Sequence, residues 1–168
     1  RFEQATVWIG YHLSLSVLQL ARAYTVLADD GILHSVSLVQ RDEDIYASRV
    51  LSAETAIKVR GMIEKVVHKD GTAYRARIDG YRVAGKTGTV KKAARGGYGR
   101  EYLSVFVGMA PASNPEFVIA LMVDSPQVGG YYGGVVAAPI FSKVMAGALR
   151  LLNIPPDEEK TMSVLLKK

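Results

Sequence analysis

Residues 83–89 read Val-Ala-Gly-Lys-Thr-Gly-Thr, and how this run folds decides how the chain is read. Taken with Gly80, it fits the phosphate-binding pattern G-x-x-x-x-G-K-[ST] through Gly85, Lys86 and Thr87. The apolar run 117–123 followed by Asp124 even mimics the strand and aspartate that help hold magnesium in nucleotide hydrolases. A phosphate loop needs a strand before it and a helix starting at its lysine, because the helix N-terminus binds the anion. Here Asp79-Gly80 is a turn signal, Tyr81-Arg82-Val83-Ala84 favours extended chain, and Gly88, Thr89 and Val90 would make a poor first helical turn. The expectation is a strand. Alternation along it sends the Thr87 and Thr89 hydroxyls to one side, where both can donate to a carboxylate. Lys86 adds positive charge, and Gly88, with no side chain, lets an extended ligand pair as an added strand. The same tetrapeptide also suits a plain edge strand, with the lysine opposing aggregation and the glycine marking a bulge.

Outward from this stretch, hydrophobic periodicity places the other elements. Val17, Leu20, Ala21, Tyr24, Leu27 and Ala28 recur at helical spacing over 14–30, with Ser14 or Ser16 as cap and Gly31 as stop. Residues 32–39 read as a short strand pair or an irregular connection, and 41–44 as a surface turn. A second helix is predicted over 52–68, capped by Ser52, with Glu54 in its first turn, a buried stripe of Ala56, Val59, Ile63, Val66 and Val67, and Asp70-Gly71 as its end. A short helical turn fits within 72–78. Three strands follow, over 81–90, 101–110 and 117–123, with a Gly-rich hairpin loop at 94–100 and a turn at 111–115. Short loops imply antiparallel pairing. The third strand is almost wholly apolar and is expected to be central or covered on both faces. A glycine- and tyrosine-rich loop at 127–134 leads to a last helix over 137–152, with Pro139 in its first turn and Asn153-Ile154-Pro155-Pro156 closing it. The fold class is α+β: an antiparallel sheet flanked by helices, one domain over 1–156 and a poorly ordered tail over 157–168.

The length of 168 residues suffices for one domain with a core, and the 49% hydrophobic and 22% charged content is that of a globular chain. The net charge of +5 favours an anionic partner, but the charges are scattered, with short clusters at Lys91-Lys92 and Lys167-Lys168, which argues against nucleic acid. With no cysteine, disulfides and thiolate chemistry are excluded. His12, His34 and His68 are not at metal-ligand spacing, so neither metal nor cofactor is expected. No uninterrupted apolar run reaches membrane-spanning length. The start at Arg1-Phe2-Glu3, without methionine or signal peptide, leads us to expect a piece of a longer protein.

Lys86-Thr87-Gly88-Thr89 resembles the third motif of penicillin-binding proteins and serine β-lactamases. Three further stretches narrow the likeness to class B penicillin-binding proteins, the peptidoglycan D,D-transpeptidases, and within them to septal members of Gram-negative bacteria. Residues 10–21, Gly-Tyr-His-Leu-Ser-Leu-Ser-Val-Leu-Gln-Leu-Ala, resemble their Gly-Tyr-x-Leu…Leu-Gln-Leu-Ala segment. Residues 106–111, Phe-Val-Gly-Met-Ala-Pro, resemble the strand after the third motif, and 130–141 the following loop and helix. The resemblance covers residues 9–156. It implies the serine β-lactamase/D,D-transpeptidase-like fold, an enzyme that cross-links stem peptides through a serine acyl-enzyme, and capture by β-lactam antibiotics. It assigns Thr87 and Thr89 to the substrate carboxylate, Lys86 to electrostatic support, the Thr89 N–H to an oxyanion hole, and Gly88 to the path of the ligand backbone. Tyr102, Tyr131 and Tyr132 match an aromatic wall, though ordinary packing explains tyrosines equally well; Lys91 suits a solvated position beside the carboxylate pocket.

The chain departs from this pattern in one decisive way. The family's Ser-x-x-Lys and Ser-x-Asn motifs do not occur in it, and the nearest mimic, Thr55-Ala-Ile-Lys58, falls in the second predicted helix. His12 and Val17 stand where the family often has glycine and proline. The nucleophilic serine is therefore expected on an N-terminal remainder of the same protein, and this chain alone is expected to be inactive. The resemblance further implies the periplasmic face of the inner membrane, with an anchor outside this segment, and division-site proteins as partners. A serine β-lactamase fragment and a non-catalytic peptidoglycan- or β-lactam-binding module remain as rival readings.

Overall fold

The computed structural model describes residues 14–39, 46–94 and 97–158. Helix α1 spans Val17–Ala28 and starts at Ser16 in a capping box: its hydroxyl accepts from the Gln19 N–H while the Gln19 side chain accepts from the Ser16 N–H. Strand β1 (Ile32–His34) pairs antiparallel with β2 (Ala47–Arg49), so 32–34 is one arm of a strand pair whose partner lies outside the 32–39 region, and 35–39 is irregular. The expected turn at 41–44 lies outside the described residues, as do Gly10 to Leu13, including His12.

Helix α2 spans Ala53–Glu64, capped by the Ser52 hydroxyl on the Thr55 N–H, and runs on as a 3₁₀ turn over Lys65–Val67. Its deeply buried positions are Ala56 and Arg60. Hydrophobicity pointed to Val59 instead, yet Arg60 carries the packing. Its guanidinium donates to the Leu27 carbonyl (2.9 Å) and to Asp30 (3.0 Å), placing a cation on the C-terminal end of α1, where the helix dipole favours it. A second 3₁₀ turn covers Tyr74–Ala76.

The main sheet has the order β3-β4-β5, all antiparallel: Ala84–Ala94, Gly97–Ala110 and Phe117–Asp124. The β3–β4 hairpin is longer than the sequence suggested, because both strands continue into the Gly-rich stretch. The register shifts within that stretch: Lys91 pairs Tyr102 but Ala93 pairs Tyr98, so Lys92 alone on β3 stands opposite residues 99–101, and the extra residues of the bulge lie on β4. Among the described strands β4 is central and β5 lies at an edge, so of the two expected placements for the apolar third strand the structure shows the second, coverage on both faces. This coverage, by helices, accounts for its apolar character. Phe117, Ile119 and Leu121 pack with Phe106 against the last helix, and Val118 packs with Met109 against Tyr24, Leu27 and Ile63 of α1 and α2.

That last helix, α3, spans Gly133–Leu151 and buries Ala137, Ala138, Phe141, Met145 and Leu149. Phe141 meets Phe106 edge-on at 4.8 Å between ring centres. The helix is long and apolar enough to cross a membrane by length and composition, a property the sequence reading missed by starting it at residue 137. Here it packs on the sheet instead. Pro139 lies inside it, not in its first turn. The described tail is also tied down: the Asp157 carboxylate accepts from the Arg82 N–H (2.7 Å) and from the Ser113 N–H (3.0 Å) and hydroxyl (2.7 Å). This corrects the expectation of poor order for its first residues.

Candidate active site

Lys86-Thr87-Gly88-Thr89 lies within β3, straight along the edge of the sheet, with β4 on its one paired side. No helix starts at Lys86, and β3 runs on past Thr87 to Ala94, which removes the nucleotide-loop reading. The Lys86 side chain is exposed and its Nζ donates to the Thr87 carbonyl at 2.9 Å. Thr87 pairs in register with Phe106 and Thr89 with Ser104, so the two hydroxyls share a face, as alternation required. Gly88 has the opposite orientation; a Cβ there would come within 3.3 Å of the Val105 Cβ, so the glycine also relieves a cross-strand contact.

The start of α3 completes the site, a feature sequence reasoning missed. The Gly133 N–H, at the first helical position, donates to Thr89 Oγ1 at 3.1 Å. Tyr132, at the N-cap, makes no side-chain cap, so the strand's threonine takes that role from outside the helix. The glycines permit the approach. A Cβ on Gly133 would lie 2.2 Å from the Val105 carbonyl oxygen, and one on Gly134 would lie 1.9 Å from that of Thr72. The helix therefore brings the positive end of its dipole against the threonine row, where it favours a bound anion. Thr72 also faces Thr87, with the hydroxyl oxygens 3.4 Å apart. The paired glycines were the available signal, but on propensity they read as loop.

The three tyrosines are brought together at the Thr89 end. Tyr102 and Tyr131 stack at 4.1 Å with planes 15° apart, and Tyr132 adjoins Tyr131 at 4.5 Å. The loop is held from beneath by Ser104, a fully buried residue whose hydroxyl donates to the Tyr131 carbonyl. Hydrogen bonding with Tyr131 raises the Tyr132 hydroxyl above its usual pKa. Lys91 Nζ stands 5.9 Å from the centre of the Tyr102 ring, within cation–π range. A cavity of about 340 Å³ opens behind the stack, lined by Arg100, Tyr102, Ser125, Gln127 and Tyr131 among others.

Below the tyrosines Lys92, opposite the bulged part of β4, bridges Asp124 (2.8 Å) and Glu101 (3.0 Å) and reaches the Ser125 hydroxyl. Its hydrogen bonds raise its own pKa and lower those of both carboxyls. By contrast, Thr55 and Lys58 sit on the exposed surface of α2, where Thr55 bonds Ser52 and Lys58 pairs with Glu54, so this mimic of the serine motif is plain helix surface.

The profile of the penicillin-binding protein transpeptidase domain matches residues 1–146, and the chain belongs to that family. Similar proteins include the probable peptidoglycan D,D-transpeptidase PbpC of Pseudomonas aeruginosa, 46% identical over 154 residues, which cover 91% of this chain and 27% of that protein. The probable peptidoglycan D,D-transpeptidase PenA of Neisseria flavescens is 43% identical over 168 residues, covering 99% of this chain and 42% of that protein. The peptidoglycan D,D-transpeptidase FtsI of Escherichia coli K12 is 41% identical over 156 residues, covering 92% and 26%. Among solved structures, the apo transpeptidase domain of Burkholderia pseudomallei penicillin-binding protein 3 superposes with a TM-score of 0.87 at 46% identity, over 94% of this chain and 49% of that one. The chain thus spans under half the length of each of these relatives.

Proposed function

We propose that this chain supplies the carboxylate-gripping half of a peptidoglycan D,D-transpeptidase site used in septal wall synthesis, and that sequence beyond it supplies the serine. The observation that carries this reading is the edge strand whose Thr87 and Thr89 hydroxyls share a face with the N-terminus of α3. A stem peptide ending in D-Ala-D-Ala lies along β3 as an added strand. Its terminal carboxylate accepts from the two hydroxyls, with Lys86 and the helix end providing positive potential. Charge-assisted bonds of this kind are worth about 1.5–3 kcal/mol each. Thr89 Oγ1 can accept from Gly133 and still donate its proton, so the cap and the ligand do not compete.

The serine oxygen attacks the penultimate D-Ala carbonyl, and the charge that develops on the carbonyl oxygen is met by the Thr89 N–H. The peptide C–N bond breaks, the terminal D-Ala leaves as the amine, and the acyl group passes from serine to the amine of a second stem peptide. A β-lactam follows the first half of this course, but its amine stays tethered, so the acyl-enzyme persists. The tyrosine cluster walls the site on the side away from Lys86. The working enzyme faces the periplasm, where its substrate is.

Intact-mass analysis after exposure to labelled penicillin tests the division of labour. The protein carrying its upstream sequence gains one covalent adduct, and the 168-residue chain gains none. An adduct on the short chain would refute the proposed source of the nucleophile.

A further inference from the structure

A second polar cavity, of about 690 Å³, lies between the outer flank of α3 and the segment 77–81. One wall is Arg77, Ile78, Asp79 and Tyr81; the other is Ser142, Lys143, Ala146 and Arg150. It is separate from the carboxylate grip. Gly133 stands at the threonine row, whereas Ser142 and Arg150 are roughly 13 and 25 Å further along the helix axis at the usual rise per residue.

The walls are joined, not merely adjacent. The Ser142 hydroxyl donates to the Arg77 carbonyl at 2.6 Å, and the Tyr81 hydroxyl donates to the Ile154 carbonyl at 2.6 Å beyond the helix end. The charge is unbalanced: three cations face one carboxylate, Asp79. Among the described residues Lys143 and Arg150 have no ion-pair partner, and the Arg150 Nε makes a long bond (3.4 Å) to its own helix at Ala146. Arg77 is held loosely, 3.7 Å from an exposed Glu158 oxygen and 5.6 Å from the centre of the Tyr74 ring. Two guanidinium forks and an ammonium around one opening are the donor set that a tetrahedral oxyanion uses.

The groove does not coincide with the apolar face that α3 leaves uncovered. Ile140, Val144 and Leu151 are exposed. At about 100° per residue they lie on a different stripe of the helix from Ser142, Ala146 and Arg150. Further chain packing on the apolar stripe would leave the polar groove open.

The geometry points to a binding site for a phosphate group in this groove, held by Arg77, Lys143 and Arg150, independent of the transpeptidase reading. The phosphate comes either from a lipid headgroup, as a diester, or from a free monoester, and two soluble probes distinguish them. Isothermal titration of the full-length protein at low salt, with inorganic phosphate and with glycerophosphoglycerol, is the test. We expect saturable binding of at least one probe that weakens about tenfold or more in the Lys143→Gln, Arg150→Gln double variant. Asp79→Asn should tighten binding two- to fivefold, a gain that misfolding cannot imitate, and Lys58→Gln on the remote face of α2 should leave it unchanged. Tighter binding of the diester assigns a lipid headgroup; tighter binding of phosphate assigns a free monoester. Equal affinity in wild type and double variant, or no saturable binding of either probe in the millimolar range, would overturn the proposal.

Discussion

Strand β3 is held differently along its two halves. From Ala84 to Thr89 it is fixed by close packing: Ala84 is fully buried, a Cβ on Gly85 would strike the Phe106 ring at 2.5 Å, and the helix start presses on Thr87 and Thr89. Beyond Lys91 it is held by charge, through Lys92, Glu101 and Asp124, in a setting open to water. Packing fixes position to tenths of an ångström and is nearly indifferent to pH and salt. Exposed ion pairs hold weakly and respond to both. The half that is proposed to grip a ligand is the packed one. The half that extends away as a hairpin depends on solution conditions.

Substitutions that attack the packed half should cost most. Phe141→Ala removes the ring that meets Phe106 beneath the threonine row. It should cost about 3–5 kcal/mol in urea unfolding. Gly134→Ala, which sets a methyl group against the Thr72 carbonyl oxygen, should cost about 1–3 kcal/mol. A neutral result there would mean that the helix start is looser than its contacts imply. Ser104→Ala leaves the Tyr131 carbonyl without its donor and should cost roughly 0.5–1.5 kcal/mol, with loss of tyrosine stacking in near-ultraviolet circular dichroism.

The charged half should give the smallest effect, and a pH-dependent one. Asp124 and Glu101 have folded pKa values below their unfolded ones, chiefly through bonding to Lys92. Their contribution is therefore present above the unfolded carboxylate range, near pH 4, and is lost as pH falls through the lowered folded values. Lys92, with its pKa raised, contributes below its unfolded value near pH 10.4 and loses that contribution at higher pH. Melting temperatures of wild type and Lys92→Met should differ slightly at neutral pH and converge in acid. A gap that widened in acid would break the contrast between the two halves.

The same contrast governs what the sequence could reveal. Alternation of Thr87 and Thr89, the Ser16 and Ser52 caps and the antiparallel order of strands all follow from local chemistry, and local chemistry is written in consecutive residues. The beginning of α3 is not. Gly133 and Gly134 disfavour a helix on their own and are required only because strand and loop carbonyls lie where side chains would go. Arg60 lies outside the apolar stripe read from the sequence and is a buried partner for the end of α1, again through residues distant in sequence. The hairpin's extra length depended on a bulge that absorbs extra residues of β4 opposite Lys92. In the site, the strand, its hydroxyls and the tyrosines were legible. The helix dipole behind them was not, because a tertiary contact places it.

The central claim, that the border strand grips a carboxylate, is tested most directly by acylation kinetics of the protein with its upstream sequence. The rate constant for a penicillin is compared with that for its methyl ester, in wild type and in the Thr87→Val, Thr89→Val double variant. Loss of two charge-assisted bonds predicts that wild type prefers the free acid by about a hundredfold and that the variant shows almost no preference. The same preference in both proteins would contradict the account.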